Sequence, residues 1–306
     1  MSIPTKRIIC AQKVFMVKPA RFGFNNQTAE TNAFQKQLSD NNNVHEKAIK
    51  EFLKVVNQLE SKGVEVVVFE SDDIDAPDSI FPNNWFSTHQ NGSLILYPMF
   101  AENRRRERNP NAITTIKNNF NFSTILDISE QENQNFYLEG TGSIVFDHGA
   151  QIAYAALSPR TNEMLLNQIC DSISYKAHSY SCKDSNGMDF YHTNVILHIG
   201  NGYAVLYEQG IENHVEKAKL VGSLKESGKE VIFITPEQVS SFCGNMLQVK
   251  NAKGSPFLLC SETALNAFDS TQKKILEKYS EITSFHIPTI EHIGGGGIRC
   301  MIAELY

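Results

Sequence analysis

No Cys-x-x-Cys pair occurs in the 306 residues, and the cysteines at 10, 170, 182, 243, 260 and 300 stand apart from histidines at zinc-ligand spacings. That pattern speaks against a metal site and against a disulfide framework in a chain of this length. Long apolar runs are missing too. No stretch approaches eighteen uninterrupted apolar residues, and the opening MSIPTKRIICAQKVF has no apolar segment ending in a small-residue cleavage site. The expectation is a cytoplasmic protein with no membrane partner. A basic excess is also absent: 28 Lys and Arg face 34 Asp and Glu, for a net charge of −6. Nucleic acid is therefore not the expected partner, because few cations are left over to neutralise phosphates. The one basic cluster, Arg104, Arg105, Arg106 and Arg108, reads as the solvated start of a helix. What is present is an ordinary globular composition, 41% hydrophobic and 20% charged, enough for a sizeable core.

The chain also repeats itself. Five segments share a plan of strand, turn and strand: 85–98, 143–158, 194–209, 245–261 and 298–305. The first four carry glycine-containing turns between β-branched and aromatic runs, a strong hairpin signal. The fifth ends after one strand, and RIICAQKVFMVKP at 7–19 is its expected partner. Helical patterns follow at 43–63, 162–173, 212–228 and 263–280, with apolar residues three and four apart. A further helix over 103–119 is interrupted by Pro110. A short strand closes every unit: VEVVVFE, STILDIS, SYKAHSY, EVIFIT and EITSFHI. A ββαβ unit of about 50 to 60 residues thus recurs five times, and such units bury their apolar faces against one another. The reading is α/β, one domain over 1–306, closed as a five-bladed pseudosymmetric propeller.

The chemistry falls at one place in each unit, just before its first hairpin strand. There stand Asn83 and Asn84 in FPNNW, Glu139 in YLEGTG, His192 and Asn194 in YHTNV, Asn245 in CGNM, and Cys300 in GGGGIRC. In a closed ring these positions face one central cavity. A thiol, an imidazole and a carboxylate together suit covalent catalysis. Cys300 would attack an electrophilic carbon, His192 would protonate the leaving group and then activate water, and Glu139 would orient the site or accept from substrate nitrogen. His89, His198 and His292 are expected to be structural or exposed, and the other five cysteines to be buried hydrophobes.

These residues, with MVKPARFGFNNQT, PDSIF and LSPRTNE, make the chain resemble the guanidino-group-modifying enzymes: arginine deiminases, glycine amidinotransferases and dimethylarginine dimethylaminohydrolases. More narrowly it is similar to citrulline-utilisation hydrolases related to arginine deiminase. The resemblance implies the pentein fold, a covalent Cys intermediate, no metal or other cofactor, and an amino-acid substrate ending in a guanidine or urea. By motif it implies Cys300 as nucleophile, His192 as acid and base, and Glu139 as the guanidine-contacting carboxylate. It also implies Arg160 as holder of the substrate carboxylate and Asp78 as a substrate contact, beside Asn83, Asn84 and Asn194. Relatives often carry Asp where this chain has Asn84 and Asn194. A guanidinium offers only donors, whereas a ureido group has a carbonyl acceptor and an NH2 donor, so amides suit the latter. The expected reaction is citrulline to ornithine, CO2 and ammonia; arginine dihydrolase, deiminase, amidinotransferase and non-catalytic binding protein are the alternatives. Whether the chain forms a homo-oligomer, and whether 18–36 forms a lid, stays open at this stage.

Overall fold

Fifteen short strands, in the computed structural model that describes residues 9–37, 43–120 and 122–306, group into five sheets of three. One sheet joins the two ends of the chain: β1 (Lys13–Lys18) lies between β15 (Ala303–Leu305) and β2 (Glu65–Glu70). The others are β3 (Phe86–Thr88), β4 (Ser93–Leu96) and β5 (Thr124–Asp127); β6 (Val145–Asp147), β7 (Ile152–Ala156) and β8 (Lys176–Tyr180); β9 (Leu197–Ile199), β10 (Tyr203–Leu206) and β11 (Glu230–Phe233); and β12 (Leu247–Lys250), β13 (Pro256–Ser261) and β14 (Glu281–Phe285).

Every sheet is wired alike. The middle strand pairs antiparallel with one neighbour and parallel with the other, as in Phe86↔Leu96 beside Leu96↔Asp127. A tight turn suffices for the antiparallel step, but the parallel step needs a crossover, and a helical segment supplies it. In the terminal sheet Lys13 pairs with Leu305 and with Glu65, as the repeat predicts. Residues 7 and 8 of the expected first strand lie outside the described residues. The middle strands β4 and β10 are buried at every position, so they read as apolar runs (SLIL, YAVL). The crossover helix Val44–Ser61 buries Ala48, Phe52, Val55, Val56 and Leu59 on one face, the spacing that the sequence displays.

Two helices differ from expectation. The one expected over 103–119 is split into Glu102–Arg105 and Pro110–Asn118, with Pro110 opening the second piece, where its missing N–H costs nothing. The one expected over 263–280 is broken into Glu262–Ala267 and Ser270–Glu277. Asp269 accepts from the backbone N–H groups of Thr271 and Gln272, while Gln272 reaches back to the Asp269 N–H. This capping box starts a new helix, a local signal that outweighs continuing apolar periodicity.

The segments before the first strands meet one another. The turn Pro82–Asn84 packs on the short helix Gly140–Ser143, which packs in turn on the turn Thr193–Val195. Gly140 makes the first contact feasible, since a Cβ there would lie 2.5 Å from the Asn83 carbonyl oxygen and its φ is +45°. No helix among the described residues is long and apolar enough to cross a membrane.

Candidate active site

A buried cavity of 20 Å³ forms where these segments converge, lined by Cys300, His192, Asn84, Arg104, Arg160, Asp78, Phe81, Tyr191, Thr28, Asn32 and Gly294–296. Two larger hollows, of 210 and 480 Å³, do not contain Cys300. The glycine run is shaped by its neighbours. A Cβ on Gly294 would come within 2.7 Å of the Phe81 ring, and one on Gly295, at φ +63°, within 2.7 Å of the Gln35 main-chain nitrogen. Side chains there would push the floor and the cover of the cavity apart.

Cys300 is 4% exposed, and two asparagines supply its hydrogen-bond donors. The Asn245 Nδ2 lies 3.2 Å from Sγ and the Asn194 Nδ2 3.9 Å. Burial pushes the thiol up, while the Asn245 hydrogen bond and the guanidinium charges of Arg299 and Arg104 pull it down. Cys10, Cys170, Cys182, Cys243 and Cys260 are buried and free, each pushed up to about 12 mainly by burial, so they are inert apolar fillers.

His192 and Glu139 form a pair: Nε2 stands 2.7 Å from Oε2, with both residues buried. Burial would raise Glu139, but the Arg160 and Arg104 charges and the His192 hydrogen bond hold it well below the usual carboxylate range. Burial lowers His192 to about 4 against the pull of Glu139, and Arg160 and Arg104 act in the same direction as burial. The imidazole is therefore neutral near pH 7, and an ionised Glu139 can only accept, so Nε2 carries the proton and Nδ1 the lone pair. The second Glu139 oxygen accepts from the Phe100 N–H at 2.9 Å.

Arg160 is 1% exposed. Its Nη1 reaches Glu139 at 3.4 Å, its Nη2 the Thr28 carbonyl at 2.9 Å, and its Nε the Thr31 hydroxyl at 3.0 Å. The Tyr191 ring lies 5.1 Å from the guanidinium carbon. The segment around 18–36 thus covers the cavity in this structure: Asn25 and Thr28 also donate to Asp78 Oδ2, at 2.7 and 3.1 Å. The other Asp78 oxygen is buried with no partner.

Arg104 is the residue that sequence reasoning missed. Its neighbour Arg106 is half exposed, as a solvated helix start should be, but Arg104 is 3% exposed and lines the cavity. It grips Glu107 through Nε and Nη2 at 2.8 and 2.9 Å, and its Nη1 donates to Asn84 Oδ1 at 2.9 Å. The signal was the Glu three residues on, a helical ion-pair spacing. With its oxygen taken, Asn84 leaves Nδ2 buried and unpartnered. A Cβ on Gly142 would come within 2.3 Å of that nitrogen and 2.8 Å of the His192 ring, so a glycine is needed behind both. Asn83 is fully buried, with both side-chain polar atoms unpartnered, but it is not on the cavity wall. Asn194 is bound to Thr141 O and to Asn245 besides approaching the thiol. His89 and His198 are buried and His292 is exposed. No group of three or more His, Cys, Asp or Glu among the described residues is arranged to hold a metal.

Comparisons with known proteins bear on the fold and on the family. The N-terminal domain of ArgZ, a cyanobacterial arginine dihydrolase, solved as a Cys-to-Ser variant bound to substrate, superposes with TM-score 0.75 at 14% identity over 95% of this chain and 97% of that one. The apo structure of ArgZ gives 0.73 at 15%, covering 95% of this chain, which spans only 40% of the length of that one. A dimethylarginine dimethylaminohydrolase variant caught as an adduct with S-methyl-L-thiocitrulline gives 0.67 at 13%, over 96% and 100%. These identities show the fold alone, a mixed α/β fold with repeated small sheets. None of the curated proteins compared matches the chain. A family model described as N,N dimethylarginine dimethylhydrolase, eukaryotic, matches residues 18–306. The chain accordingly belongs to that family, within the pentein superfamily of guanidino-modifying enzymes, whose hydrolases cleave guanidino C–N bonds.

Proposed function

We propose that this protein hydrolyses the ureido end of an amino acid of the citrulline type, through a covalent intermediate on Cys300. The five sheets are read as blades of one closed ring over 1–306, with the catalytic cavity at its centre. The orientation of Asn84 carries the preference. Arg104 can only donate, so it claims the amide oxygen and leaves Nδ2 of this cavity-lining residue as a buried donor in need of an acceptor. A urea carbonyl is such an acceptor, and a guanidinium has none. The unpartnered Asp78 oxygen is the complementary acceptor, suited to substrate N–H.

In this reading the thiol proton passes to His192 Nδ1 as Sγ bonds to the ureido carbon. His192 then hands the proton to the departing ornithine nitrogen, leaving a carbamoyl thioester. Water adds to that carbonyl as His192 takes its proton, and the carbamic acid released breaks down to CO2 and ammonia. Glu139 holds the Nε2 proton and stabilises the imidazolium formed in each half. Arg160, released from Thr28 and Thr31 when the cover opens, offers two parallel donors to the substrate carboxylate.

The match to the N,N dimethylarginine dimethylhydrolase model favours a second reading, a methylated arginine as substrate. Steady-state assays with citrulline, arginine and N,N-dimethylarginine as sole substrates separate the readings, and the mass trapped on Cys300 identifies a carbamoyl or an amidino group. Turnover of arginine that stops at citrulline, or turnover of the methylated substrate alone, would overturn the ureido preference.

A further inference from the structure

We propose that Asn245 is a catalytic residue of this site, its side-chain amide being the hydrogen-bond donor that receives the negative charge forming on Cys300 Sγ. The proposal rests on the reading of Cys300 as nucleophile. It begins from a contact that is missing: no hydrogen bond between His192 and Cys300 occurs among the described residues, so the imidazole does not hold the sulfur at rest. The two nearest donors are amides, and the Asn245 Nδ2 is the closer at 3.2 Å.

The orientation of that amide is dictated by its other partners. The same nitrogen lies 3.1 Å from the Asn194 main-chain oxygen and 3.3 Å from Asn194 Oδ1. The first of these can only accept. The second is also an acceptor, because the Asn194 Nδ2 is committed to the Thr141 carbonyl at 3.1 Å. A flipped Asn245 would set oxygen against two oxygens, so the amide group nearer the sulfur is NH2: one hydrogen goes to Asn194 and the other is aimed at Sγ, while Oδ1, 3.6 Å from Sγ, accepts from the resting thiol.

Local sequence is fitted to this placement. The Asn245 N–H closes a turn onto the Phe242 carbonyl at 2.9 Å, and a Cβ on Gly244 would come within 2.3 Å of the Val195 carbonyl oxygen. Glycine there lets the turn press against the unit that carries Asn194. On the opposite side, a Cβ on Gly297 would come within 2.8 Å of Asn245 Oδ1. One member of the glycine run thus makes room for the amide. The charged groups that act on the sulfur besides it are the guanidiniums of Arg299 and Arg104. Both are long-range attractions. Asn245 places the nearer N–H, at 3.2 Å against 3.9 Å for Asn194, and in fixed orientation, which is what a small anion needs in a buried site.

The test reads the thiol rather than turnover: the rate of Cys300 alkylation by iodoacetamide against pH, followed by peptide mass spectrometry. Removal of a hydrogen bond to a charged atom should slow N245A alkylation at pH 7 by roughly 10- to 150-fold and move the profile's midpoint upward. N245D keeps the shape of the side chain while replacing the donor by an acceptor, so its profile should move further the same way. Thermal melting identifies any variant that fails to fold, and the isosteric N245D tests the proposal if N245A does not fold. Wild-type profiles in folded N245A or N245D would overturn it. Wild-type enzyme that turns over none of the candidate substrates would instead overturn the functional reading, and the alkylation profiles would still decide the role of Asn245.

Discussion

Replacing Asn84 by Asp changes one NH2 into an oxygen and leaves the volume of the side chain unchanged, so the consequences are electrostatic. In the native site Asn84 Oδ1 accepts from Arg104 at 2.9 Å while Nδ2 is buried without a partner. An aspartate keeps the Arg104 contact, strengthened by its charge, and turns its second oxygen on the substrate. For a ureido substrate that removes a donor from the carbonyl and opposes it with an anion. Leaving a buried acceptor unsatisfied costs about 1–3 kcal/mol. For a guanidinium substrate the same oxygen is an added charged acceptor, a gain of about 1.5–3 kcal/mol. Together the ratio of kcat/KM for arginine to that for citrulline should rise by roughly two to four orders of magnitude.

The assay measures both substrates with wild type and N84D, with ammonia and ornithine quantified separately. Arg104 already compensates the new charge, so N84D should melt within a few degrees of wild type. A ratio unchanged within threefold would refute the argument, because it would mean that the Asn84 amide does not meet the reacting group at all.

Two further outcomes follow from the geometry. Gly142→Ala would drive a methyl to within 2.3 Å of Asn84 Nδ2 and 2.8 Å of the His192 ring, so activity should fall at least about 100-fold while stability drops by only about 1–3 kcal/mol; normal kcat in a folded variant would show that neither group is held where the chemistry occurs. Burial lowers His192 to about 4 and His89 and His198 to about 3, so the unfolded chain binds more protons than the folded one as pH drops below the ordinary histidine value of 6.5. Stability contributed by these three is full above pH 6.5 and is lost on acidification toward pH 3–4, at up to about 1.4 kcal/mol per pH unit for each proton. A melting temperature that stays level between pH 7 and pH 5 would contradict it.

The repeat made the strands legible because each unit spells its own plan locally: a glycine turn between apolar runs, a helix with a 3.6-residue face, then a short strand. The pairing of β15 with β1 was readable as the piece that completes the count. Two helix breaks were less so. Pro110 was visible, but the stop before Asp269 depended on a reciprocal cap whose parts, Asp and a Gln three residues on, sit inside a continuing apolar pattern. In the site, equivalence of position was enough to bring Cys300, His192 and Asn84 to one cavity. It said nothing of Arg104, because the short helix that carries it follows a hairpin instead of preceding one. Nor could it place Thr28 and Thr31, whose contacts with Arg160 span more than a hundred residues.

In the proposed reading the choice between substrates rests on a residue that the motif does not contain. An asparagine is ambiguous by itself, since rotation about its last bond exchanges donor for acceptor at little cost. It becomes selective only when a neighbour fixes that rotation. Arg104 does this for Asn84, and the Asn194 carbonyl does it for Asn245. In the proposed reading both amides offer NH2, Asn84 to the ureido oxygen and Asn245 to the sulfur, and the Asn84 donor would be opposed by a guanidinium in the reacting position. The same two donors favour the negative charge that deprotonation places on the sulfur and the one that attack on a urea then builds on the carbonyl oxygen. Substituting the neighbour should then release the choice: with Arg104→Met the Asn84 amide is free to turn, and discrimination between citrulline and arginine should narrow even though every residue of the motif is intact.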